Sequence, residues 1–209
     1  MLEIIICLVI GYFFGCISCA YIVGKLNHID IREHGSGNAG TTNTMRTLGK
    51  KAGFITYFGD VFKVVLPIVV LSLILKDSGL DNNLIKLITG FGVVLGHNYP
   101  FWLKFKGGKG IAVTSGVLIM FGFKIILVCG IGFFLTLKLT KYVSLSSLVM
   151  VSLFSACVIF ISRGSEDFIL ILIFAILFAV SAFFGHRSNI KRLIEGTENK
   201  VGSKKKETA

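Results

Sequence analysis

Seven runs of apolar residues, at 4–23, 54–75, 84–96, 111–121, 125–139, 145–162 and 168–184, take up most of this 209-residue chain. They decide its solvent. Charged residues make up only 16% of the chain, where a soluble domain carries about 25%. One globular core cannot hide so much Leu, Ile, Val and Phe. Such runs read as helices in a bilayer, which close every backbone hydrogen bond within the segment. The expected fold class is therefore an all-α integral membrane protein of about seven transmembrane helices. It forms a single polytopic domain over 1–209, with a disordered basic tail at 199–209. The start, Met1-Leu2-Glu3, lacks the basic region of a secretory signal, so the first run is expected to remain as a span.

The stretch 111–139 sets the number of spans. As one long helix it gives six; broken at Phe121-Gly122-Phe123-Lys124 it gives seven. With seven spans and the N-terminus outside, seventeen of the 22 Lys and Arg residues fall in inner segments. Four (Lys76, Lys86, Lys124 and Arg163) fall in outer ones, and Lys63 lies within a span. The positive-inside rule favours that arrangement, with the C-terminus cytoplasmic. Residues 111–121 then make a helix of only ~16 Å, which must be shielded by its neighbours. A net charge of +11 gathered into loops in this way also argues against nucleic-acid binding. The five cysteines all lie in apolar runs without metal-ligand spacing and read as small apolar fillers.

The same parity puts three unusual polar segments on one face. The first is Ser36-Gly37-Asn38-Ala39-Gly40-Thr41-Thr42-Asn43-Thr44-Met45-Arg46. Its glycines and asparagines allow positive φ and expose N–H groups, while Arg46 offers a bidentate contact, a combination suited to phosphate. The second is Gly96-His97-Asn98-Tyr99-Pro100-Phe101-Trp102, followed by Phe105-Lys106-Gly107-Gly108-Lys109-Gly110 at the mouth of the next helix. Free N–H groups and the helix dipole favour an anion there, and Lys109 adds a point charge. Gly110 stands where a Walker A loop has Ser or Thr, so that route to nucleotide is closed. The third is His186-Arg187-Ser188-Asn189-Ile190-Lys191-Arg192-Leu193-Ile194-Glu195-Gly196-Thr197-Glu198. Helical spacing puts His186, Asn189 and, if the helix continues, Arg192 or Lys191 on one face, and a His at the membrane boundary is suited to act as a base or to anchor the interface. Ser144, Ser146 and Ser147 open the sixth span as caps or packing residues, with one in reach of a bound phosphate. The histidines show no HExxH spacing, and no His-x4-Asp pair occurs.

Taken together, SGNAGTTNTMR at 36–46, GHNYPFWLKFKGGKGIA at 96–112 and HRSNIKRLIEGTE at 186–198 resemble the three cytoplasmic motifs of the bacterial PlsY-type acyl-phosphate:glycerol-3-phosphate acyltransferase family. The resemblance runs along essentially the whole chain. It implies transfer of an acyl chain from acyl phosphate to the 1-hydroxyl of glycerol 3-phosphate, giving lysophosphatidic acid and phosphate without a metal or other cofactor. It further implies a bacterial cytoplasmic membrane, an active site on the cytoplasmic side, and transient contact with the enzyme that makes acyl phosphate. Ser36, Arg46, His186 and Asn189 match the family's essential positions. The expected roles are phosphate charge for Arg46 and Lys109, hydrogen bonds to substrate from Ser36 and Asn189, and proton acceptance by His186. Gly37, Asn38, Gly40, Asn43, Gly107, Gly108, Lys109, Gly110 and Ser144 are expected to bind substrate, while Glu198 holds the third segment in shape. A permease for a phosphorylated solute and a membrane phosphatase are the competing readings.

Overall fold

The computed structural model describes residues 1–201 and is helical throughout, with no strand among them. The remainder of the expected tail, 202–209, lies outside the described residues. The first apolar run forms α1 (Leu2–Gly15) and α2 (Cys19–Leu26), split where the Ser18 hydroxyl accepts from the Tyr21 N–H and caps the second piece. The chain continues through α3 (Thr41–Ile74), α4 (Asn82–Asn98), α5 (Ile111–Met120), α6 (Phe123–Thr140), α7 (Val143–Ile161), α8 (Phe168–Gly185) and the short α9 (Arg187–Ile194). The 111–139 stretch is broken, as the distribution of Lys and Arg favoured: α5 and α6 meet at Gly122, whose φ of +96° suits glycine alone. Five helical stretches are long and apolar enough to cross a membrane: Leu2–Leu26, Thr41–Ile74, Phe123–Thr140, Val143–Ile161 and Phe168–Gly185.

The centre of the bundle is α4. It packs against α1, α3, α5 and α8, and Leu84, Leu87, Ile88 and Val93 on its different faces are wholly buried. Its approach to α1 depends on missing side chains. Gly11 and Gly15 of α1 face Gly92 and Gly96 of α4, and a Cβ at Gly15 would stand 2.9 Å from the Gly96 Cα. This small-xxx-small seam lets two backbones touch, which is how helices gain van der Waals energy where the solvent offers no hydrophobic drive. The ten-residue α5 is about 15 Å long. It lies against α3, α4, α6 and α7, so its length is compensated by protein rather than lipid.

Two features of the connections matter for the site. α3 is bent at Gly49, where φ +87° and ψ 175° interrupt the helix and let the stretch carrying Arg46 take its own direction. Across the bundle, the Trp102 indole donates to the Cys16 carbonyl at 2.8 Å and the Tyr12 hydroxyl to the Tyr99 carbonyl at 3.0 Å, tying the second polar segment to the end of α1.

Candidate active site

The three polar segments line one cavity of about 930 Å³. At one end stand Ser36, Arg46, Lys109, Ser144, His186, Asn189, Arg192 and Glu198; at the other, Leu118, Ile119, Ile126, Phe133, Phe134 and Met150 of α5, α6 and α7. Four helices begin at the polar end. Thr41 and Thr42 of α3, Ile111 and Ala112 of α5, Val143 and Ser144 of α7, and Ser188 and Asn189 of α9 all border it. First-turn N–H groups have no intrahelical partner, so four positive dipole ends border the same space as the cations Arg46, Lys109, Arg192 and Lys200. An anion is the natural occupant.

The hub of the third segment is Glu198. Its carboxylate accepts from the Asn189 amide at 2.7 Å, the Ser144 hydroxyl at 2.9 Å and Arg192 Nε at 2.7 Å. Burial opposes the charge, yet these three donors win and hold the carboxyl below its ordinary value. The other end of the Asn189 amide accepts from the Lys109 ammonium, so one side chain joins the second segment to the third. Burial, then Arg192, pushes the Lys109 ammonium below its usual value. An incoming phosphate would reverse that cost.

His186 is built as a proton acceptor. It is 4% exposed, and its Nδ1 lies 2.8 Å from the Ala182 carbonyl one turn earlier. A carbonyl can only accept, so Nδ1 carries the proton and the neutral ring keeps its lone pair on Nε2. Burial lowers the pKa of the ring, outweighing the Ala182 carbonyl. Arg46 and the Ser36 hydroxyl make no hydrogen bond among the described residues and face the cavity from the first segment.

Several residues named from the sequence turn inward instead. Asn43 is buried, its amide donating to the carbonyls of Ile31 and His34 while its oxygen accepts from the Ser36 N–H. It shapes the first loop rather than offering groups to a ligand. Ser144 and Asn189 likewise spend their side chains on Glu198 and Lys109. The expectation that Gly107 and Gly108 present free N–H groups fails, because they donate to the Asn98 and His97 carbonyls at 3.1 and 3.0 Å. Their lack of side chains serves packing: a Cβ on Gly108 would land on the His97 ring and 2.9 Å from the Ala39 carbonyl. Gly110, at φ +81°, forms the turn into α5 and does not border the cavity. Gly37 and Asn38 do, and Gly40 precedes the first turn of α3. Beyond 198 the chain stays against the site. Asn199, Lys200 and Val201 border the cavity, and the Val201 N–H donates to the Lys141 carbonyl. Tyr57, Asp60, His97 and Ser115, none of them expected from the sequence to bind substrate, also line it.

An integral membrane helical bundle with an anion-attracting mouth over an apolar groove defines the class: a membrane-embedded protein built to hold a molecule with a charged head and a greasy tail. A family model described as glycerol-3-phosphate acyltransferase matches residues 5–196, and the chain belongs to that family. It is 42% identical to the glycerol-3-phosphate acyltransferase of Clostridioides difficile (strain 630) over 202 residues, covering 96% of this chain and 97% of that one. With the protein of the same name from Exiguobacterium sibiricum it shares 44% over 203 residues, 97% and 95% of the two chains. Its fold is similar to the crystal structure of PlsY (YgiH), an integral membrane glycerol 3-phosphate acyltransferase. The glycerol 3-phosphate form aligns with TM-score 0.83 at 30% identity over 95% of this chain and 96% of that one. A second form of that protein, with lysophosphatidic acid, aligns with TM-score 0.79 at 29% identity, covering 95% of each chain.

Proposed function

We propose that this chain transfers an acyl group from an acyl phosphate to the 1-hydroxyl of glycerol 3-phosphate, giving 1-acylglycerol 3-phosphate and inorganic phosphate, the first step of phospholipid synthesis. The observation that carries this reading is the two-ended cavity, with four helix starts and the cations Arg46, Lys109 and Arg192 at one end and an apolar groove at the other. Both substrates carry phosphate and one carries a hydrocarbon chain, so head and tail each have a place. The donor's groove lies between α5, α6 and α7.

The chemistry follows from what the residues hold ready. Acyl phosphate is already activated, so the protein has to orient, neutralise and accept one proton. The Nε2 lone pair of His186 takes the proton from the 1-hydroxyl as its oxygen attacks the acyl carbonyl carbon. The bond from that carbon to the phosphate oxygen breaks, and phosphate leaves with the electron pair. Arg46 and Lys109 neutralise phosphoryl oxygens, Ser36 hydrogen-bonds to substrate, and Asn189 with Glu198 holds Lys109 in place.

We further propose seven crossings. α1 with α2 makes one, and α3, α4, α5, α6, α7 and α8 make the others. The N-terminus lies outside and the C-terminus with all three segments in the cytoplasm, as the distribution of Lys and Arg favours. The membrane is the bacterial cytoplasmic membrane, where the donor arrives by transient contact with the enzyme that produces it.

The test is an assay of purified protein with chain-labelled acyl phosphate, with and without glycerol 3-phosphate, and with acyl-CoA as the competing donor. Labelled lysophosphatidic acid should form only from acyl phosphate and acceptor together. Equal phosphate release without the acceptor would identify a phosphatase and remove the proposal.

A further inference from the structure

Beneath the second segment lies a buried charge network that the proposed reaction does not use. Lys63 of α3 is 4% exposed, and its ammonium reaches three acceptors: Asp60 Oδ1 at 2.8 Å, the Ile17 carbonyl at 2.7 Å and His97 Nδ1 at 3.0 Å. Ile17 sits in the break between α1 and α2, so the ammonium ties that break to α4. Asp60 is fully buried and cancels the charge of Lys63, leaving the group neutral as a whole.

The network fixes a proton. An ammonium has three donors and no lone pair, so the His97 nitrogen facing it must accept. The ring proton is therefore on Nε2. That edge of the ring lies against Gly108, at the point a Cβ would occupy, where Ala39 of the first segment also arrives. The ring is 4% exposed and borders the same cavity as Lys109. Nε2 makes no hydrogen bond among the described residues, although the Ala39 carbonyl oxygen lies near the same point. An unbonded N–H on the wall of an anion-attracting cavity is complemented by an anionic oxygen.

We infer that His97 is a substrate-binding residue, whose Nε2–H donates to a phosphoryl oxygen held beside Lys109, with Lys63 and Asp60 as the positioning pair that sets its tautomer. The inference rests on the phosphate reading of the cavity, not on which reaction follows.

Histidine-15N spectroscopy of the full-length protein in detergent tests it without turnover. Before ligand, the His97 signal should report a protonated Nε2 and a bare Nδ1, and saturating glycerol 3-phosphate or inorganic phosphate should shift the Nε2–H resonance. His97→Phe, which keeps a ring against Gly108 and loses the donor, should raise one substrate's KM about 10- to 100-fold with a smaller effect on kcat. A rise confined to glycerol 3-phosphate places the bond on the acceptor, and a rise confined to acyl phosphate places it on the donor. A protonated Nδ1, or an Nε2–H signal indifferent to both phosphates, overturns the inference whether or not the variant folds. So do unchanged KM values in a folded His97→Phe protein. A phosphate-sensitive His97 in a chain that transfers no acyl group would remove the acyltransferase proposal and leave this one standing.

Discussion

At the scale of single residues, the sharpest expectation concerns His186. Replacing it with Ala should lower kcat about 100-fold or more while the thermal transition stays in place, since a positioned base contributes on that order. The direction of its pKa makes a second prediction. Burial holds the folded ring below the 6.5 of a free histidine. The acid limb of kcat/KM for the free enzyme should therefore fall below pH 6.5, and a limb above it would remove His186 as the base. The sign for stability is the same. Between the folded and unfolded values the unfolded chain binds the extra proton, so stability drops as pH falls from 6.5 toward the folded value. Glu198 contributes in the ordinary carboxylate manner, present above 4.5 and lost as pH falls through its depressed value. Glu198→Gln turns a three-fold acceptor into a group with one acceptor oxygen and should cost about 2 kcal/mol in denaturant unfolding. It should also raise KM through the loosened Asn189 and Lys109. Gly108→Ala should act mainly on KM, because the added methyl displaces the His97 ring. The sequence marked these residues because Gly, Asn, His and Arg stand out sharply between apolar runs. It did not reveal that Asn43, Gly107 and Gly108 are satisfied internally, since spacing along a chain says nothing about which carbonyl folds back to meet an amide.

At the scale of elements, glycine does two different jobs. Gly49 bends α3 in a region of φ and ψ that is essentially closed to other residues, with open space where a side chain would sit. Gly49→Ala should therefore act through backbone strain of about 1–3 kcal/mol, redirecting Arg46 and depressing activity more than it depresses assembly of the bundle. Gly15→Leu is the contrasting case. Its side chain would collide with the Gly96 backbone, so the α1–α4 seam must open. Both the melting temperature in detergent and turnover should fall together, because α4 carries His97 and the second segment begins at its end. Hydropathy made the seven apolar runs readable, and the distribution of Lys and Arg favoured the break at 121–124. The seam was written there too, as Gly11-x-x-x-Gly15 and Gly92-x-x-x-Gly96. Each half is unremarkable until the fold sets one against the other, which is why it passed unnoticed.

At the scale of the whole molecule, the proposed orientation requires positions 46 and 186 to face the same compartment. Single cysteines placed there, in a chain whose own cysteines are replaced, should react with an impermeant maleimide from the same side of sealed vesicles. Labelling from opposite sides would dissolve the shared site. The class of protein could be read from composition, and the polar half of the cavity from three loops. The apolar half could not, because its Leu, Ile, Phe and Met residues look like every other lipid-facing stretch until α5, α6 and α7 enclose them. That wall is also incomplete. Ile119, Ile126 and Phe134 border the cavity and remain exposed, as a groove open at its side would leave them. In the proposed reaction a fatty tail would slide in sideways and leave the same way, bathed in hydrocarbon from start to finish. Dragging it through water would cost about 0.8 kcal/mol for every methylene. The bilayer itself is then part of the catalyst's supply line: only the headgroup changes hands at the waterline, and the product is released already lying among the lipids it joins.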